Sequence, residues 1–448
     1  MNNRVLTTSR YKLSGLVLLL LLVARPGAAQ APTPAPAPMT WEQVRQRFEQ
    51  NNPTLLAGKL NIDESKAQEI TAYLRPNPQF TVTADGTQVI PTGGTDPTTG
   101  RSYPWQPFLG TYESGALSYL HERRHKRELR LESAQKGTQI AISSQADLDR
   151  TLLFAVRSAF VSTLQAKAVL QLAKDNLVYY DHVLEISRIR FKVGDIAQID
   201  LDRLELQRVQ FESDWQTAEV NLRTSKIALL TLLNDRTPVE QFDVSGPFDF
   251  SEQLLPRDEF RKIALDNRPD LRAAVQAVDK AQTDHKLAVA NGSTDPTLSS
   301  WWTHSGSYNF SPGPPYGRHT LGVSVSVPLR IFDRNQGEKL RTQLDITRNE
   351  RLRDAAEAQV FSDVDSGYAT VDSNVILLRP YKAKYLEMSQ RVRDTVFYSY
   401  QHGAASLLDF LNAESEYRAV QLNYVNLVGS YLTAAAQLNM AVGREVIQ

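Results

Sequence analysis

The amino-acid sequence predicts a mixed α and β fold in which one structural unit occurs twice. The stretch RFKVGDIAQIDLDRLE at 190–205 recurs 209 residues later, at 399–414, as SYQHGAASLLDFLNAE. Each copy lies within a helical stretch of roughly 60 residues or more, and each half also contains paired segments of alternating apolar and polar residues. A repeat of this length indicates two copies of one supersecondary unit.

The first 29 residues predict a secretory signal peptide. Arg4, Arg10 and Lys12 precede the apolar run LSGLVLLLLLVA, which is followed by the small-residue stretch GAAQA. That run has only about a dozen residues, whereas a membrane-spanning helix needs roughly 20, and we expect no later segment to be comparable. We place cleavage before Gln30, and the Pro/Ala-rich residues 30–40 predict an extended tether.

The rest of the chain divides into two similar halves. Each half opens with a helix that starts at a proline, Pro53 or Pro269, and becomes strand-like after another proline, Pro78 or Pro296. Each repeat would contain a helix, two strands and a long helical hairpin. The predicted organisation is a first repeat at 41–235, an inter-repeat connection at 236–262, a second repeat at 263–443 and a C-terminal tail at 444–448.

Alternating residues predict two strands in each repeat. In the last of these strands, five apolar residues share one face and small polar residues share the other; the apolar five are Leu321, Val323, Val325, Val327 and Leu329. The other predicted strands are 79–85, 112–120 and 297–304. Loops rich in glycine and proline, at 86–110 and 305–317, join the strands of each pair as solvent-exposed tips.

The helices that follow each strand pair are predicted to be far longer than those of a compact domain. Sixty residues would reach roughly 90 Å, so these helices must form a rod or the wall of a tube. Pro380 falls inside the second long helix, where it should either curve the helix or act as a hinge. In the first long helix, a heptad seam of mostly small residues would let helices approach closely: Leu152, Ala155, Ala159, Ser162, Ala166, Val169 and Ala173.

The repeated motif predicts the turns of two antiparallel helical hairpins. Gly194 and Gly403 suit these turns because glycine adopts a left-handed conformation at little steric cost. Asp200 and Asp409 then lie in the first turn of each returning helix, where a carboxylate meets the positive end of the helix dipole. Ser406 and Asp409 also have the spacing of a capping box, whereas an alanine occupies the position equivalent to Ser406 in the first repeat.

Composition and motifs argue against a catalytic, metal-binding or nucleic-acid-binding protein. The chain has 50 basic and 50 acidic residues and no cysteine, which argues against steering of polyanions and excludes thiolate chemistry. His121 and His125 have helical ligand spacing, but the cations around them disfavour a bound metal. Because no catalytic or phosphate-binding motif occurs, we predict no catalytic residue, metal or cofactor. Four further histidines lack a partner at ligand spacing: His285, His304, His319 and His402.

The order and duplication of these elements resemble the TolC-type outer-membrane efflux proteins of Gram-negative bacteria. The resemblance extends from about Trp41 to Val442 and rests on three features. These are the duplicated helix starts NP and RPDL, the junction VSVPLRIFDRN, and the Phe/Tyr-x-x-Gly turn followed six residues later by Asp. The basic junction LSYLHERRHKRELR resembles the CzcC-like, cation-efflux branch of that family.

The resemblance implies a homotrimer with a periplasmic α-barrel and a shared 12-stranded outer-membrane β-barrel, to which each protomer contributes four strands. Four strands cannot close a barrel, and an open sheet edge in lipid leaves backbone polar groups unpaired. The protein would be a passive exit duct that works with a periplasmic membrane-fusion adaptor and an inner-membrane pump of the resistance-nodulation-division type. The apolar face from Leu321 to Leu329 would contact outer-membrane lipid.

The resemblance also implies where the partners of the duct would bind. If the hairpin turns lie farthest from the membrane, the adaptor must dock on them, and the contact positions would be Phe191, Val193, Gly194, Tyr400 and Gly403. Asp200 and Asp409 would either ring the periplasmic aperture and attract cations, or serve only as helix caps.

Two other functions would use fewer of these features. An envelope coiled-coil protein with a structural or adhesive role would need heptads but no paired strands, and a periplasmic enzyme would need a convergent polar site. The exported substrate is not specified by the sequence, because a wide duct is weakly selective. Heavy-metal cations and drugs are the two substrate classes that remain, and the basic junction favours metal cations.

Overall fold

Most of the chain after the predicted signal peptide is described by the computed structural model, which covers residues 37–85, 95–102, 112–305 and 319–447. The predicted signal peptide at 1–29 lies outside these residues, as do most of the tether and most of the two strand-joining loops. Residues Pro38–Gln448 form one unit by their contacts. That unit does not divide at the repeat boundaries, so the domain limits given above stay a prediction.

The two halves contain the same order of elements. The first half runs through α1 (Trp41–Asn51), α2 (Pro53–Tyr73), β1 (Gln79–Asp85), β2 (Tyr112–Leu120), α3 (Lys126–Lys192) and α4 (Gln198–Leu232). The second half runs through α5 (Arg257–Asn267), α6 (Pro269–Asn291), β3 (Thr297–Ser305), β4 (His319–Ser326), α7 (Gln336–Pro380), α8 (Leu386–Gln401) and α9 (Leu407–Val442). The repeat in sequence is therefore also a repeat in structure.

Proline marks the start of α2 and α6, as predicted. Pro53 and Pro269 occupy the beginning of each helix, where the missing N–H would have no intrahelical partner. Before α2, the Asn52 side chain accepts a hydrogen bond from the Leu55 backbone N–H at 3.0 Å. The Asn52 amide also donates to the Leu232 carbonyl at 2.8 Å, which fixes the start of α2 to the end of α4.

The four strands form one antiparallel sheet in the order β1-β2-β3-β4, so the two halves meet at the β2–β3 pair. In the register of this sheet, Gly115 of β2 lies opposite Trp302 of β3, which in turn lies opposite Leu321 of β4. Strands β1 and β4 each have one unpaired edge within the described chain. Such edges are unstable in hydrocarbon because their backbone N–H and C=O groups have no partner there.

The long helices have the length that the sequence predicts. Helix α3 contains 67 residues, which is roughly 100 Å at 1.5 Å per residue. In the second half, α7 and α8 are joined by a π-helical turn at Tyr381–Tyr385, so the helical backbone is continuous from Gln336 to Gln401. The long helices project far beyond what a compact domain needs.

The π-helical turn explains what Pro380 does in the second half. Pro380 is the last residue of α7 and has no backbone N–H, so the regular helical hydrogen bonding is interrupted here and the wider turn follows. Lys382 within this turn pairs with Asp249 of the inter-repeat connection at 2.6 Å. Arg379, just before it, pairs with Glu252 at 3.1 Å. The irregular turn is therefore anchored to the connection between the repeats.

Three apolar cores hold the helices together at different positions along their length. One core packs α5 against α7 and α9 around Phe260, and a second packs α1 against α3 and α4 around Phe48. The third core lies where α3, α4, α8 and α9 approach their turns, and it is centred on Phe410. The hairpin ends therefore have an apolar core of their own.

The predicted heptad seam is not the most buried face of α3. Val156, Phe160 and Thr163 are almost completely buried, whereas the seam residue Ala159 is half-buried and Ser162 is exposed. Within one chain, the larger side chains determine the packing because they remove more apolar area from water.

Helix α3 also corrects the expectation that no segment after the signal peptide is comparable to a membrane span. Among the described residues, it is the helix whose length and apolar composition would allow it to cross a membrane. Because α3 packs against α2, α4, α6 and α9 along its length, it forms part of the helical wall.

Candidate functional site

The two helical hairpins end in turns that have the same backbone conformation. We call residues 188–205 the first tip and residues 397–414 the second tip. Gly194 has a φ of +80° and Gly403 a φ of +71°, in the left-handed region that glycine occupies without steric cost. Apart from the glycine itself, its chain neighbours and adjacent helix backbone, no heavy atom of the described residues lies within 4 Å of the position where a Cβ would stand at either glycine. The backbone conformation, and not crowding within the chain, therefore requires glycine here.

Equivalent hydrogen bonds close the two turns. In the first tip, the Asp195 N–H donates to the Arg190 carbonyl at 2.9 Å, and in the second tip the Ala404 N–H donates to the Ser399 carbonyl at 2.8 Å. These bonds satisfy carbonyl groups in the last turn of α3 and of α8. The predicted helix–glycine–helix turns are thus present in both repeats.

The starts of the returning helices differ between the tips. In the second tip, the Ser406 hydroxyl accepts from the Asp409 N–H at 3.2 Å, and the Asp409 carboxylate accepts from the Ser406 N–H at 3.0 Å. The hydroxyl and N–H of Ser406 hold the pKa of Asp409 below its ordinary value. In the first tip, Asp200 lies in the first turn of α4 behind Ala197, which has no side-chain acceptor. These contacts favour the cap role of Asp409.

Three of the predicted contact positions are exposed on the tips. Val193 is 75% exposed, and Gly194 and Gly403 are also exposed. Phe191 is half-buried and packs partly against the core of the tips.

Tyr400 requires a correction, because its side chain is not available to a partner in this structure. It is 7% exposed and stacks on Phe410 with ring centroids 5.7 Å apart. The Arg190 guanidinium lies 5.1 Å from the centroid of the Tyr400 ring. The repeat identified the position of Tyr400 correctly, but not the direction of its aromatic ring, which gains more from burial than from exposure.

Sequence reasoning also missed apolar residues that the tips expose. Ile199 and Leu408 are 58% and 62% exposed, and Tyr398 on α8 is 62% exposed. Ile199 and Leu408 occupy the same place in the duplicated motif, as the second residue of each returning helix. An apolar residue repeated beside the turn was the signal that could have identified them.

One face of the sheet is apolar and exposed, as the alternation in β4 predicts. Leu321, Val323 and Val325 are 82%, 78% and 64% exposed. On the same face, the neighbouring strands also expose apolar side chains: Phe80, Val82, Leu117, Leu298 and Trp302. Water is an unfavourable solvent for a continuous apolar surface of this kind, and lipid is a favourable one.

The strand is shorter than predicted. β4 ends at Ser326, and Pro328 follows two residues later, so Val327 and Leu329 lie beyond the ladder. Proline has no N–H for strand pairing and often ends a strand. Val327 and Leu329 are still exposed, at 47% and 80%, but they are not part of the regular alternating face.

Two statements about histidines are corrected by the structure. His121 and His125 do not share a helix, because α3 begins only at Lys126. His304 and His319 lie directly opposite each other on β3 and β4, with ring centroids 4.7 Å apart, although neither has a partner at ligand spacing in sequence. Strand register brings them together. The described residues nevertheless contain no group of three or more potential metal ligands.

The basic junction between β2 and α3 is a structural joint between the two halves. Lys126 is 3% exposed, and its ammonium group lies 2.6 Å from the Asp295 carboxylate. Lys126 also donates to the Ser293 carbonyl at 3.0 Å, and the Arg123 N–H donates to Asp295 at 2.9 Å. These contacts tie the start of α3 to the segment before β3.

Comparison with protein families identifies the class of this chain. It matches the family described as Outer membrane efflux protein over residues 44–234 and 261–444, which include both tips and all four strands. The chain belongs to this family. The resemblance inferred from the sequence is therefore confirmed, and so is the duplicated helical and stranded fold.

Characterised relatives of this Outer membrane efflux protein cover nearly the whole chain. The cobalt-zinc-cadmium resistance protein CzcC of Cupriavidus metallidurans is 21% identical over 426 residues, which cover 92% of each chain. The pyoverdine export outer membrane protein OpmQ of Pseudomonas aeruginosa is 23% identical, over 90% of this chain and 84% of OpmQ.

Solved structures of channels share the fold. CusC has a TM-score of 0.74 at 18% identity, over 90% of this chain and 92% of CusC. The CmeC outer membrane channel of Campylobacter jejuni has a TM-score of 0.72 at 15% identity, over 91% of this chain and 87% of CmeC.

Family membership confirms the predicted class of function. The protein is an efflux channel of the Gram-negative outer membrane with a periplasmic extension, and it is not an enzyme. Members of the family form trimers that work with periplasmic adaptors and inner-membrane pumps of the resistance-nodulation-division type. The envelope structural protein and the periplasmic enzyme are therefore set aside.

Proposed function

We propose that this chain is the exit duct of an efflux system for heavy-metal cations, with its sheet in the outer membrane and its two tips docked to a periplasmic adaptor. The observation that carries this proposal is a four-stranded sheet with one exposed apolar face and, within the part of the chain that the structure describes, no further strand beside β1 or β4. Three such sheets, paired edge to edge, would close a 12-stranded barrel and leave no backbone group unpaired in lipid.

The lipid-facing side of the barrel can be tested with a pair of adjacent residues. Val325→Arg places a charge on the apolar face and should cost about 2–4 kcal/mol near the bilayer midplane. Ser324→Arg is the matched control, because its side chain points to the other face of the same strand. We expect Val325→Arg to lower the yield of heat-modifiable trimers in outer-membrane fractions, and Ser324→Arg to leave it near wild type. The opposite ranking would mean that the apolar face does not contact lipid.

The tips are proposed to dock the adaptor through Val193, Gly194 and Gly403, together with the exposed Ile199 and Leu408. The support for this surface is the combination of exposed apolar side chains with two glycines that have free space at the Cβ position. A partner helix could therefore approach the backbone closely at both turns. Phe191 would contribute only its exposed part, and Tyr400 would support the surface from inside.

A double glycine substitution tests this docking surface. Gly194→Leu/Gly403→Leu should leave trimers in the outer membrane but abolish adaptor crosslinking and resistance, because the side chains fill the contact and strain each turn by roughly 1 kcal/mol. Gly337→Leu is the matched control, since Gly337 is exposed in α7 without a left-handed φ. Normal crosslinking and export by the double variant would show that the tips are not the docking surface.

For Asp200 and Asp409 we propose the cap role rather than an aperture ring. The support is that Asp409 is already engaged by two groups of Ser406. Planar-bilayer recordings of Asp200→Asn/Asp409→Asn trimers should show unchanged cation selectivity. A clear loss of cation selectivity would show instead that Asp200 and Asp409 ring the periplasmic aperture and attract cations.

The choice of heavy-metal cations rests on the match to CzcC over nearly the full length of both chains and on the basic junction. Deleting the chain in its own host should increase sensitivity to cobalt, zinc and cadmium salts severalfold, and restoring it should reverse the change. If the deletion instead sensitises cells only to organic compounds, the exported substrates are organic molecules, as the name of the pyoverdine export protein OpmQ indicates for that relative. Unchanged sensitivity to every compound would count against an efflux role in that host.

A further inference from the structure

Glu414 of α9 is a buried carboxyl group that finds no hydrogen-bond partner in the described part of the chain. The residue is 2% exposed, and neither carboxylate oxygen has a partner among the described residues. A buried carboxylate that lacks both water and hydrogen bonds is unfavourable in its ionised form. Burial accordingly raises the pKa of the Glu414 carboxyl above its ordinary value. The export function proposed above does not use this residue.

The two arginines closest to Glu414 are engaged by other groups. Arg393 of α8 lies between the rings of Tyr179 and Tyr417, at 4.4 and 4.0 Å from their centroids, and pairs with Asp394 at 2.7 Å. The described contacts include no hydrogen bond from this guanidinium to Glu414, although its charge favours the ionised carboxylate.

Arg418 of α9 also contacts a ring and a carboxylate, although its buried Nε has no hydrogen-bond partner among the described residues. Its guanidinium lies 4.3 Å from the centroid of the Phe211 ring of α4, and it pairs with Asp214 of the same helix at 3.4 Å. The titratable and charged groups that act on Glu414 from the surrounding helices are Tyr179 and Tyr180 on α3, Arg393 and Asp394 on α8, and Tyr417 and Arg418 on α9. Among them, the two cations reduce the cost of ionisation but do not remove it.

The first repeat shows what this position looks like when the carboxylate has a cation. Glu205 occupies the equivalent place, pairs with Arg188 at 2.9 Å and is exposed to solvent. The residue equivalent to Arg188 in the second tip is Phe397, whose ring packs on Phe410 at 5.1 Å. The second repeat therefore has the same acid, but an aromatic ring stands in place of the cation and the carboxyl group is buried.

We propose that Glu414 is a pH-responsive lock in the second tip: its neutral form permits the packing of α8 against α3 and α9, and its ionisation loosens that packing. The role of the lock in a channel rests on the proposed position of the tips at the periplasmic end. The lock itself depends only on the burial of the carboxyl group and the absence of a hydrogen-bond partner.

The direction of the pH effect follows from linkage. Because the packed tip raises the pKa of Glu414, the packed tip binds the proton more tightly than an opened tip does. Packing is therefore strongest below the ordinary pKa of a glutamate, and it weakens as the pH rises from that value through the raised pKa. Each unit of pKa difference corresponds to about a tenfold change in the equilibrium between packed and opened tips.

Hydrogen–deuterium exchange on the purified full-length trimer tests the lock. Protection of the α8 segment Leu386–Gln401 would be followed from acid to alkaline pH, with labelling times scaled for the intrinsic pH dependence of exchange. In wild type, protection should fall as the pH rises from the ordinary glutamate pKa through the raised pKa, by about tenfold for each unit that separates the two. In Glu414→Gln, which stays neutral at every pH, protection should not change.

Glu205→Gln is the matched control, because it removes the equivalent but exposed acid of the first repeat. This variant should keep the wild-type pH dependence of the α8 segment. Protection in Glu414→Gln that still falls as in wild type would overturn the proposal, as would loss of the pH dependence in Glu205→Gln.

A second measurement covers the case in which Glu414→Gln does not assemble. Infrared difference spectra of the wild-type trimer between acid and alkaline pH should contain a carboxylic-acid C=O band that titrates above the ordinary glutamate range. The absence of such a band would overturn the proposal. Both measurements are independent of adaptor docking and of the exported substrate, so a failed lock is distinguishable from a failed assignment of function.

Discussion

The first and second tips have the same backbone conformation, but different side chains stabilise them. Both turns place a glycine in the left-handed region and close with equivalent hydrogen bonds. Besides the buried Leu201 and Leu204, which belong to the apolar core shared by both tips, the first tip has two ion pairs, Arg188 with Glu205 and Arg190 with Asp195. The second tip instead has a capping box at the start of α9 and aromatic stacking around Phe410.

This difference shows which features of a duplicated unit are free to diverge. The turn is set by backbone dihedral angles, so glycine is needed in both copies. The side chains beside the turn only have to hold two helices together, and ion pairs or aromatic rings can do this. Their energies are unequal, because an exposed ion pair contributes about 0–1 kcal/mol, whereas a buried aromatic side chain contributes several times more. We therefore expect the second tip to resist local opening more strongly than the first at low pH.

The largest expected effect comes from the aromatic core of the second tip. Phe410→Ala should reduce the local opening free energy of the second tip by about 3–5 kcal/mol, because the truncation leaves a cavity at a fully buried position. Hydrogen exchange of the segment Leu407–Val442 would measure the loss. Leu408→Ala is the control on the same helix, since Leu408 is 62% exposed and should change protection by no more than about 0.5 kcal/mol. Similar losses in both variants would mean that the aromatic core does not hold the tip.

The turns show how much of this architecture could be predicted from the sequence. Glycine, a carboxylate in the first helical turn and alternating strands are local signals, so they gave the hairpins, the capping box and the strands β1 and β2 with their observed bounds. The direction of a side chain on a long helix is not local. Tyr400 was therefore expected at the surface, whereas its ring is buried against Phe410.

Contacts between segments that are far apart in the sequence were the second kind of feature that could not be predicted. His304 and His319 are neighbours only because of the register of β3 and β4, which their spacing in sequence does not specify. The burial of Glu414 likewise depends on helices that come from both halves of the chain. The repeat in sequence showed that Glu414 is equivalent to Glu205. Only the structure shows that Phe397, which stands where the first tip has Arg188, packs on Phe410.

An intermediate effect is expected from the capping box, which the first tip lacks. Ser406→Ala should destabilise the start of α9 by about 1 kcal/mol, because it removes the hydroxyl acceptor for the Asp409 N–H. Ala197→Ser should stabilise the start of α4 by a similar amount, since Ala197 already has an extended backbone like that of Ser406. Hydrogen exchange of the first turn of each helix measures both changes. No gain in Ala197→Ser would mean that the two helix starts are not equivalent.

The same box has a predictable response to pH. Because Ser406 lowers the pKa of Asp409, the contribution of the Asp409 carboxylate is fully present above the ordinary pKa of an aspartate. It should be lost as the pH falls below that value towards the lowered pKa. This direction is opposite to that expected for Glu414, so acid should fray the first turn of α9 while it tightens the packing of α8. Protection of both segments that changed in the same direction would contradict one of the two assignments.

The smallest expected effect concerns the Arg188–Glu205 ion pair, which has no counterpart in the second tip because Phe397 stands at the position equivalent to Arg188. Arg188 and Glu205 are both about half exposed, so their attraction is weakened by water, and we expect Arg188→Gln to reduce first-tip protection by about 0.2–1 kcal/mol at low salt. At 1 M salt the Debye length falls to about 3 Å, and the difference between Arg188→Gln and wild type should disappear. The effect of Ser406→Ala should persist at that salt concentration, because it reflects a short-range hydrogen bond rather than a screened charge pair. A salt-independent loss in Arg188→Gln would indicate that the arginine packs as an apolar stem, and the two tips would then be more alike than their charges suggest.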